Sequence, residues 1–298
     1  MKLSDVADRA GLTIQRDGEF RSVGLLSHET EQMLAQFYDA KFLKSVRGNG
    51  ALSCIITTAE LAPQVPEHLG VGIAAEPASA FYRLHAYLMR ETSFYGPDFD
   101  SVIAPSARIH ERAYVAPKNV RIGENTVIEP NVTIMEGSVI GADCVIRAGT
   151  VIGGEGFEPK WVDGKHVIWP HAGGVWIGDR VELQSLCHVA RSVFGGYTRI
   201  GDDTKIDAMV HVAHNAVIGC GCEISAMSAI GGSVTIGNKV WVGTAKVSSG
   251  ITVGDGAFIT VGSVVIRNVP EGGHVTGNFA VDHAKYLSFF RRLNSGKL

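Results

Sequence analysis

Two histidines, His211 and His214, stand three residues apart in VHVAHN, with Asp207 seven residues before the second. Imidazole titrates near pH ~6.5, so it can take and return a proton at working pH. That suits a general base, and a carboxylate beside the ring would orient it and raise its basicity. The plain alternative is that both rings are polar side chains on a solvated face. His188 adds a third imidazole and raises the question of zinc. His188 lies beyond an irregular stretch and the other two are three apart, so the expectation is no metal. Gly153–Phe157 (GGEGF) is glycine-rich, but no Lys-Ser/Thr follows and it does not read as a phosphate loop. Cys144, Cys187 and Cys222 fall on the inward period described next and read as small packing residues.

These residues sit on a repeat. From Ile103 an aliphatic residue returns nearly every sixth position: Ile122, Ile128, Ile134, Ile140, Ile146 and Ile152, then Ile200, Ile206, Val212, Ile218, Ile224, Ile230, Ile236 and Val242. Four residues after these anchors the side chains are small or β-branched, as at Thr126, Cys144, Thr204, Ala216 and Ser228. A six-residue period fits neither a helix of 3.6 residues per turn nor simple alternation. It fits a short flat strand followed by a tight corner, three times per coil of about 18 residues, with coils stacked into a prism. Glycines are expected to supply the special corner dihedrals. Residues 153–176 and 190–199 break the period, and a break as long as the first points to function.

Flanking segments lack the repeat. Ser4 is placed to cap a helix that Gly11 closes, 51–58 reads as a buried strand, and Pro77 opens an amphipathic helix. The expected organisation is a small α/β domain over 1–100, a β-helix over 101–279 and a short helix over 280–298, packed against the last coil. Lys+Arg 27 against Asp+Glu 30 gives a net charge of −3, which argues against nonspecific nucleic-acid binding. No apolar run approaches the ~18 residues of a membrane helix. No secretory signal is visible, and five scattered cysteines suit a reducing cytoplasm.

The whole chain resembles the UDP-3-O-acylglucosamine N-acyltransferases of lipid A, and hence lipopolysaccharide, biosynthesis. The likeness rests on LSDVADRAG, QFYDAKFLKSV and LSCIITTAEL, then GGEGF, WIGDRVEL, IDAMVHVAHNAVIG and IGGSVTIG. It implies a left-handed parallel β-helix, mainly β, and a cytoplasmic homotrimer. It also implies a UDP-linked amino sugar as acceptor, an acyl-carrier-protein thioester as donor and no permanently bound cofactor. Carried over by motif, His214 is the base, Asp207 its support and Gly232, one coil higher, a donor to the thioester oxyanion. Asn215 fills the family's Asn position beside the acceptor, and His211 stands where the family has another polar residue. The family uses the segment holding Gly156 and Phe157 near the sugar and acyl groups. It also stacks uracil on aromatics at the place of Phe37 and Phe42, where this chain carries Asp39 near the family's Asn. The plain alternative is that these rings are core. A later family histidine has no counterpart in AKVSSGITV, and the tail is short. The competing expectation is an acetyl- or short-acyl-CoA-dependent N-acyltransferase of surface polysaccharide synthesis.

Overall fold

The computed structural model describes residues 1–28, 30–277 and 282–295. The first hundred residues form a five-stranded sheet and its helices. Strands β1 (Thr13–Arg16), β2 (Ser22–Val23), β3 (Met33–Phe37), β4 (Leu52–Thr57) and β5 (Gly70–Ile73) lie in the order β1-β5-β4-β3-β2, with β1 antiparallel and the rest parallel. Helix α1 (Leu3–Ala10) ends at Gly11, whose φ of 69° is left-handed. At its start the Asp5 carboxylate accepts the Lys2 N–H. Ser4, expected to cap, instead donates its hydroxyl to Asp17. Helix α2 (Leu43–Gly48) is short, and α3 (Pro77–Glu91) lays Phe81, Leu84, His85 and Leu88 into the core.

From Val102 the chain winds into a parallel β-helix of triangular section. Its three faces are sheets of nine, eight and eight short strands. Arg199 pairs with Val217 and Val217 with Thr235, so each coil lies in register on the one before. The anchors Ile128, Ile146, Leu183, Ile206, Ile224, Val242 and Ile259 belong to one buried column. Buried threonines tie that column to the backbone: the Thr204 hydroxyl donates to Gly219 O at 2.8 Å and accepts from Cys222 N at 3.1 Å.

The corners correct one expectation. Left-handed residues there are often not glycine but Asn119, Asn125, Asp143, Asp203, Asn215 or Lys239. A short polar side chain helps Asn and Asp tolerate that conformation. Many glycines that follow the anchors do a different job and let coils approach. A Cβ on Gly219 would lie 2.5 Å from Gly237 O and 2.6 Å from Gly237 C. Gly219→Val must therefore spread two backbones, a cost of about 1–3 kcal/mol by overpacking. The expected result in calorimetry is a lower unfolding temperature.

Both breaks in the repeat serve the N-terminal domain. Pro159–Val162 and Lys165–Ile168 form an antiparallel hairpin, and Asp163 between them pairs with Arg83 of α3 at 2.7 Å. Trp169 from the first break, and Val193 and Phe194 from the second, join Leu3, Phe20, Ile56, Phe81 and Leu88 in one buried cluster. The domain's core is thus completed by the prism's excursions.

Helix α4 (His283–Asn294) follows the prism, its N-terminus capped by Asp282. It does not pack against the last coil as expected. None of its residues is buried, and Tyr286, Phe289, Phe290 and Leu293 are exposed. An i, i+3, i+4, i+7 apolar stripe stabilises a helix only when something covers it. Residues 280, 281 and 296–298 of the expected C-terminal segment lie outside the described residues.

Candidate active site

His214 lies in the turn that follows the strand His211–Val212, next to left-handed Asn215 (φ 61°). The strand ends at its anchor, Val212. His211 projects from the flat face and His214 occupies the corner.

The neighbours of His214 fix its tautomer. The Asn215 amide nitrogen donates to Ser192 Oγ at 2.7 Å, and its Oδ1 accepts the Val193 N–H at 3.1 Å. The same oxygen stands 3.1 Å from His214 Nδ1. An oxygen there can only accept, so Nδ1 carries the hydrogen and neutral His214 presents its lone pair at Nε2. That atom faces Glu158 Oε2 at 3.4 Å. When Nε2 carries a proton it donates to Glu158, and that bond, aided by Lys160 at 2.6 Å, holds the Glu158 carboxyl down at about 2 against its burial. Leu25, His28, Tyr82, Trp169, Phe194 and Ser233 line the rest of this small pocket.

Two glycines flank the His214 ring. A Cβ on Gly232 would lie 2.7 Å from its Cε1 and 2.9 Å from its Nε2, and one on Gly156 would lie 3.1 Å from its Cδ2. Behind Gly156 is His171, fully buried, its ring centroid 5.5 Å from that of His214. Phe157 is 78% exposed and turned away from the protein's core.

Within the chain Asp207 does not meet His214. It follows the strand Lys205–Ile206, one corner earlier on the same coil, and its carboxylate accepts Ala208 N and Ala226 N at 2.7 and 3.2 Å. Seven residues span one corner of a six-residue repeat, so the two side chains leave from different edges of the triangle. The acid against His214 is Glu158, from the first break. His211 is exposed and stands beside His188 on the preceding coil, with Nδ1 atoms 3.2 Å apart. Among the described residues no group of three or more His, Cys, Asp or Glu side chains is placed to hold a metal ion.

The bacterial transferase hexapeptide (six repeats) family matches residues 119–154 and 197–232. A Campylobacter curvus protein named UDP-3-O-acylglucosamine N-acyltransferase is 34% identical across 98% of this chain and 100% of its own length. The chain belongs to that family. It is an N-acyltransferase built on a left-handed hexapeptide β-helix. A Campylobacter concisus relative of the same name is 33% identical over 98% of this chain and 100% of its own. Among solved structures, a Francisella novicida UDP-N-acetylglucosamine acyltransferase aligns with 64% of this chain and 71% of its own at 24% identity and a TM-score of 0.48. A Campylobacter jejuni UDP-N-acetylglucosamine acyltransferase aligns with 65% and 81% at 20% identity and a TM-score of 0.44.

Of the residues read as a base-stacking pair, Phe37 is fully buried in the core beside Met33, Ile55 and Val71. It is packing, since strand β3 carries it inward. Phe42 is exposed, with Lys41 Nζ 4.8 Å from its ring centroid, and Asp39 pairs with Lys41 at 2.7 Å. Tyr38, which the sequence reading passed over, is the other exposed ring of that segment.

Sequence reasoning also passed over Glu158, His171, His28 and Tyr82 as site residues. Each lies outside the regular repeat. The one available signal was the density of Trp, Pro and His in the first break.

His85 holds that break in place. Its Nε2 donates to Pro170 O at 3.0 Å, so its Nδ1 accepts the Tyr95 hydroxyl at 2.6 Å. Burial, helped slightly by His171, lowers the His85 pKa from 6.5 to about 4, against the pull of the Pro170 carbonyl. The unfolded chain takes up a proton below about pH 6.5 that the folded chain refuses until about pH 4. Stability therefore falls as pH drops through that window, by on the order of 3 kcal/mol. The expected result is a falling unfolding temperature between pH 6.5 and 4, flattened in His85→Gln.

Proposed function

We propose that this chain transfers an acyl group from a thioester to the amine of UDP-3-O-acylglucosamine, a step of lipid A synthesis. The observation that carries this reading is the Nε2 lone pair of His214, aimed by the Asn215–Ser192–Val193 network, in a chain related over its full length to enzymes of that name. The neutral amine attacks the thioester carbonyl, and a C–N bond forms as the carbonyl oxygen gains charge. The N–H of Gly232, without a hydrogen-bond partner among the described residues, supports an oxyanion-donor role. His214 takes the proton from nitrogen and the thiol departs with it as the C–S bond breaks. No covalent enzyme intermediate is needed.

An acyl-carrier protein is the proposed donor. Carrier proteins are acidic, and Lys285, Arg291 and Arg292 give the exposed helix α4 a basic surface. Lys297, which extends the basic run in sequence, lies outside the described residues. A homotrimer in the cytoplasm completes the proposal. Exposed apolar side chains on the flat faces, such as Tyr114, Val217 and Val264, support subunit packing, and five free cysteines support a reducing compartment.

Mass-spectrometric assay of UDP-3-O-acylglucosamine with acyl-carrier-protein and CoA thioesters tests the activity. Light scattering that gives a ~32 kDa monomer at micromolar concentration sinks the trimer. Replacing Arg291 and Arg292 by Glu is expected to raise KM for the carrier thioester several-fold in a salt-dependent way and to spare the sugar-nucleotide KM. An unchanged donor KM removes the docking role of α4.

A further inference from the structure

We infer that the cleft between the N-terminal domain and the prism, bounded by Arg21, His28 and Arg199, binds the diphosphate of the sugar-nucleotide acceptor. The inference rests on the reading above, in which the acceptor is a UDP-linked amino sugar and His214 takes its proton.

The cleft measures about 720 Å³, a usual size for a small-molecule site. It opens beside the base: His28, Asn215 and Ser233 line both the cleft and the small pocket that His214 lines. Its charge is of one sign. Arg21 enters from the domain and Arg199 from the prism, and no Asp or Glu is among the described residues that line it. Neither arginine has an ion-pair partner among the described residues, whereas Arg147 and Arg180 elsewhere on the prism are each paired with carboxylates. Aromatic rings hold Arg199 instead, with the centroids of Trp176 and Tyr197 each 5.5 Å from its guanidinium carbon. Rings of that kind steady the planar group and leave its N–H edge open. That edge matches the oxygens of a phosphate two at a time.

His28 adds a donor without adding a charge. Its turn is pinned by the Asn49 side-chain amide, which donates to Leu26 O at 3.1 Å and to His28 O at 2.6 Å. The ring accepts the Leu25 N–H on Nδ1 at 3.3 Å, so in its neutral form the hydrogen sits on Nε2. Burial, with His214 second, holds the His28 pKa below the ordinary histidine value. A neutral ring there does not oppose the charge that His214 gains when it takes the amine proton.

Spacing decides which phosphate fits. Arg199 pairs with Val217 on the next coil, and Val217 stands three residues past His214. Coils are about 4.8 Å apart, so Arg199 lies on the order of 10 Å from the base, backbone to backbone. Its side chain spans much of that distance. In a UDP-linked 2-amino sugar only C2, C1 and the glycosidic oxygen separate the amine from the nearer phosphorus, about 5 Å, and the second phosphorus is ~3 Å further on. The donor's phosphate is a different case. The whole pantetheine arm separates it from the thioester carbon, up to ~17 Å when extended. A basic cleft this close to His214 therefore suits the acceptor's diphosphate and lies short of the donor's phosphate.

Calorimetric titration with UDP-glucosamine and with inorganic pyrophosphate tests this without requiring turnover. The proteins are wild type, Arg21→Gln, Arg199→Gln, the double Gln variant and Arg199→Lys. Both arginines are exposed, so unfolding temperatures are expected to stay near wild type. Each single Gln variant should raise the Kd for UDP-glucosamine about tenfold, with the loss shrinking as salt is added. Arg199→Lys should lose less, since it keeps the charge and gives up only the fork. Pyrophosphate, the anion alone, should bind more weakly and lose affinity in the same variants. A folded double variant with the wild-type Kd for UDP-glucosamine overturns the inference. So does a double variant that keeps this Kd and instead raises KM for the acyl thioester, which gives the cleft to the donor. Wild-type protein that binds pyrophosphate alone, or neither probe, overturns it as well. Arginine-dependent binding of UDP-glucosamine with no acyl transfer to UDP-3-O-acylglucosamine upholds the cleft and rejects that substrate.

Discussion

His214→Ala lowers kcat by about 10²–10⁴-fold, the range set by loss of a general base, and leaves the oligomer and its unfolding temperature nearly unchanged. The stability half of this expectation follows from the packing. His214 stands at a corner, outside the column of anchors that holds the coils together, and its side chain is 16% exposed. Removing the ring frees Asn215 Oδ1 of one donor, but the Val193 N–H still satisfies it. The catalytic half follows from the tautomer. The Nε2 lone pair in this pocket is pointed by a three-residue network reaching from the second break. Asn215→Leu should therefore lower kcat as well, though less, because the ring remains and only its orientation is lost. Wild-type turnover in purified, correctly assembled His214→Ala protein rejects the base assignment.

The prism was legible because it is periodic. Ile122, Ile146, Ile206 and Ile236 recur at a spacing that only a three-sided coil satisfies, and all four are buried. The candidate base was legible because His214 sits in that period next to Asn215. What was not legible lies where the period stops. Glu158 and His171 are brought to His214 by a hairpin whose path depends on Trp169 entering the N-terminal core and on His85 gripping Pro170. Those are contacts across some eighty residues of sequence, and no spacing rule encodes them. Asp207 illustrates the converse within the single chain. It is near His214 in sequence and in a matching motif, yet the geometry of the coil puts a corner between them, and its carboxylate is spent on two backbone amides.

Gly232→Ala is expected to lower kcat by about 10²-fold while leaving stability close to wild type, the opposite balance to Gly219→Val. Both glycines stand at coil corners, and the difference lies in what a Cβ would meet. At Gly219 it meets Gly237 O, Gly237 C and Asn238 N, all backbone, so the coils themselves must part. At Gly232 the three nearest atoms are Cε1, Nε2 and Nδ1 of His214, at 2.7, 2.9 and 3.3 Å. The methyl group pushes on one imidazole and on nothing that holds the fold. The ring cannot both yield and keep its 3.1 Å contact with Asn215, so the base moves off its line to the amine. A misplacement of about 1 Å in a reacting group costs on the order of 10²-fold in rate. The Gly232 N–H survives the substitution, so the loss reports displacement of the base rather than loss of the oxyanion donor. Kinetics at saturating substrates, with calorimetry on the same preparations, checks both halves. A Gly232→Ala enzyme with wild-type kcat means that His214 tolerates the shift, and the close approach of this glycine to the ring then has no catalytic consequence.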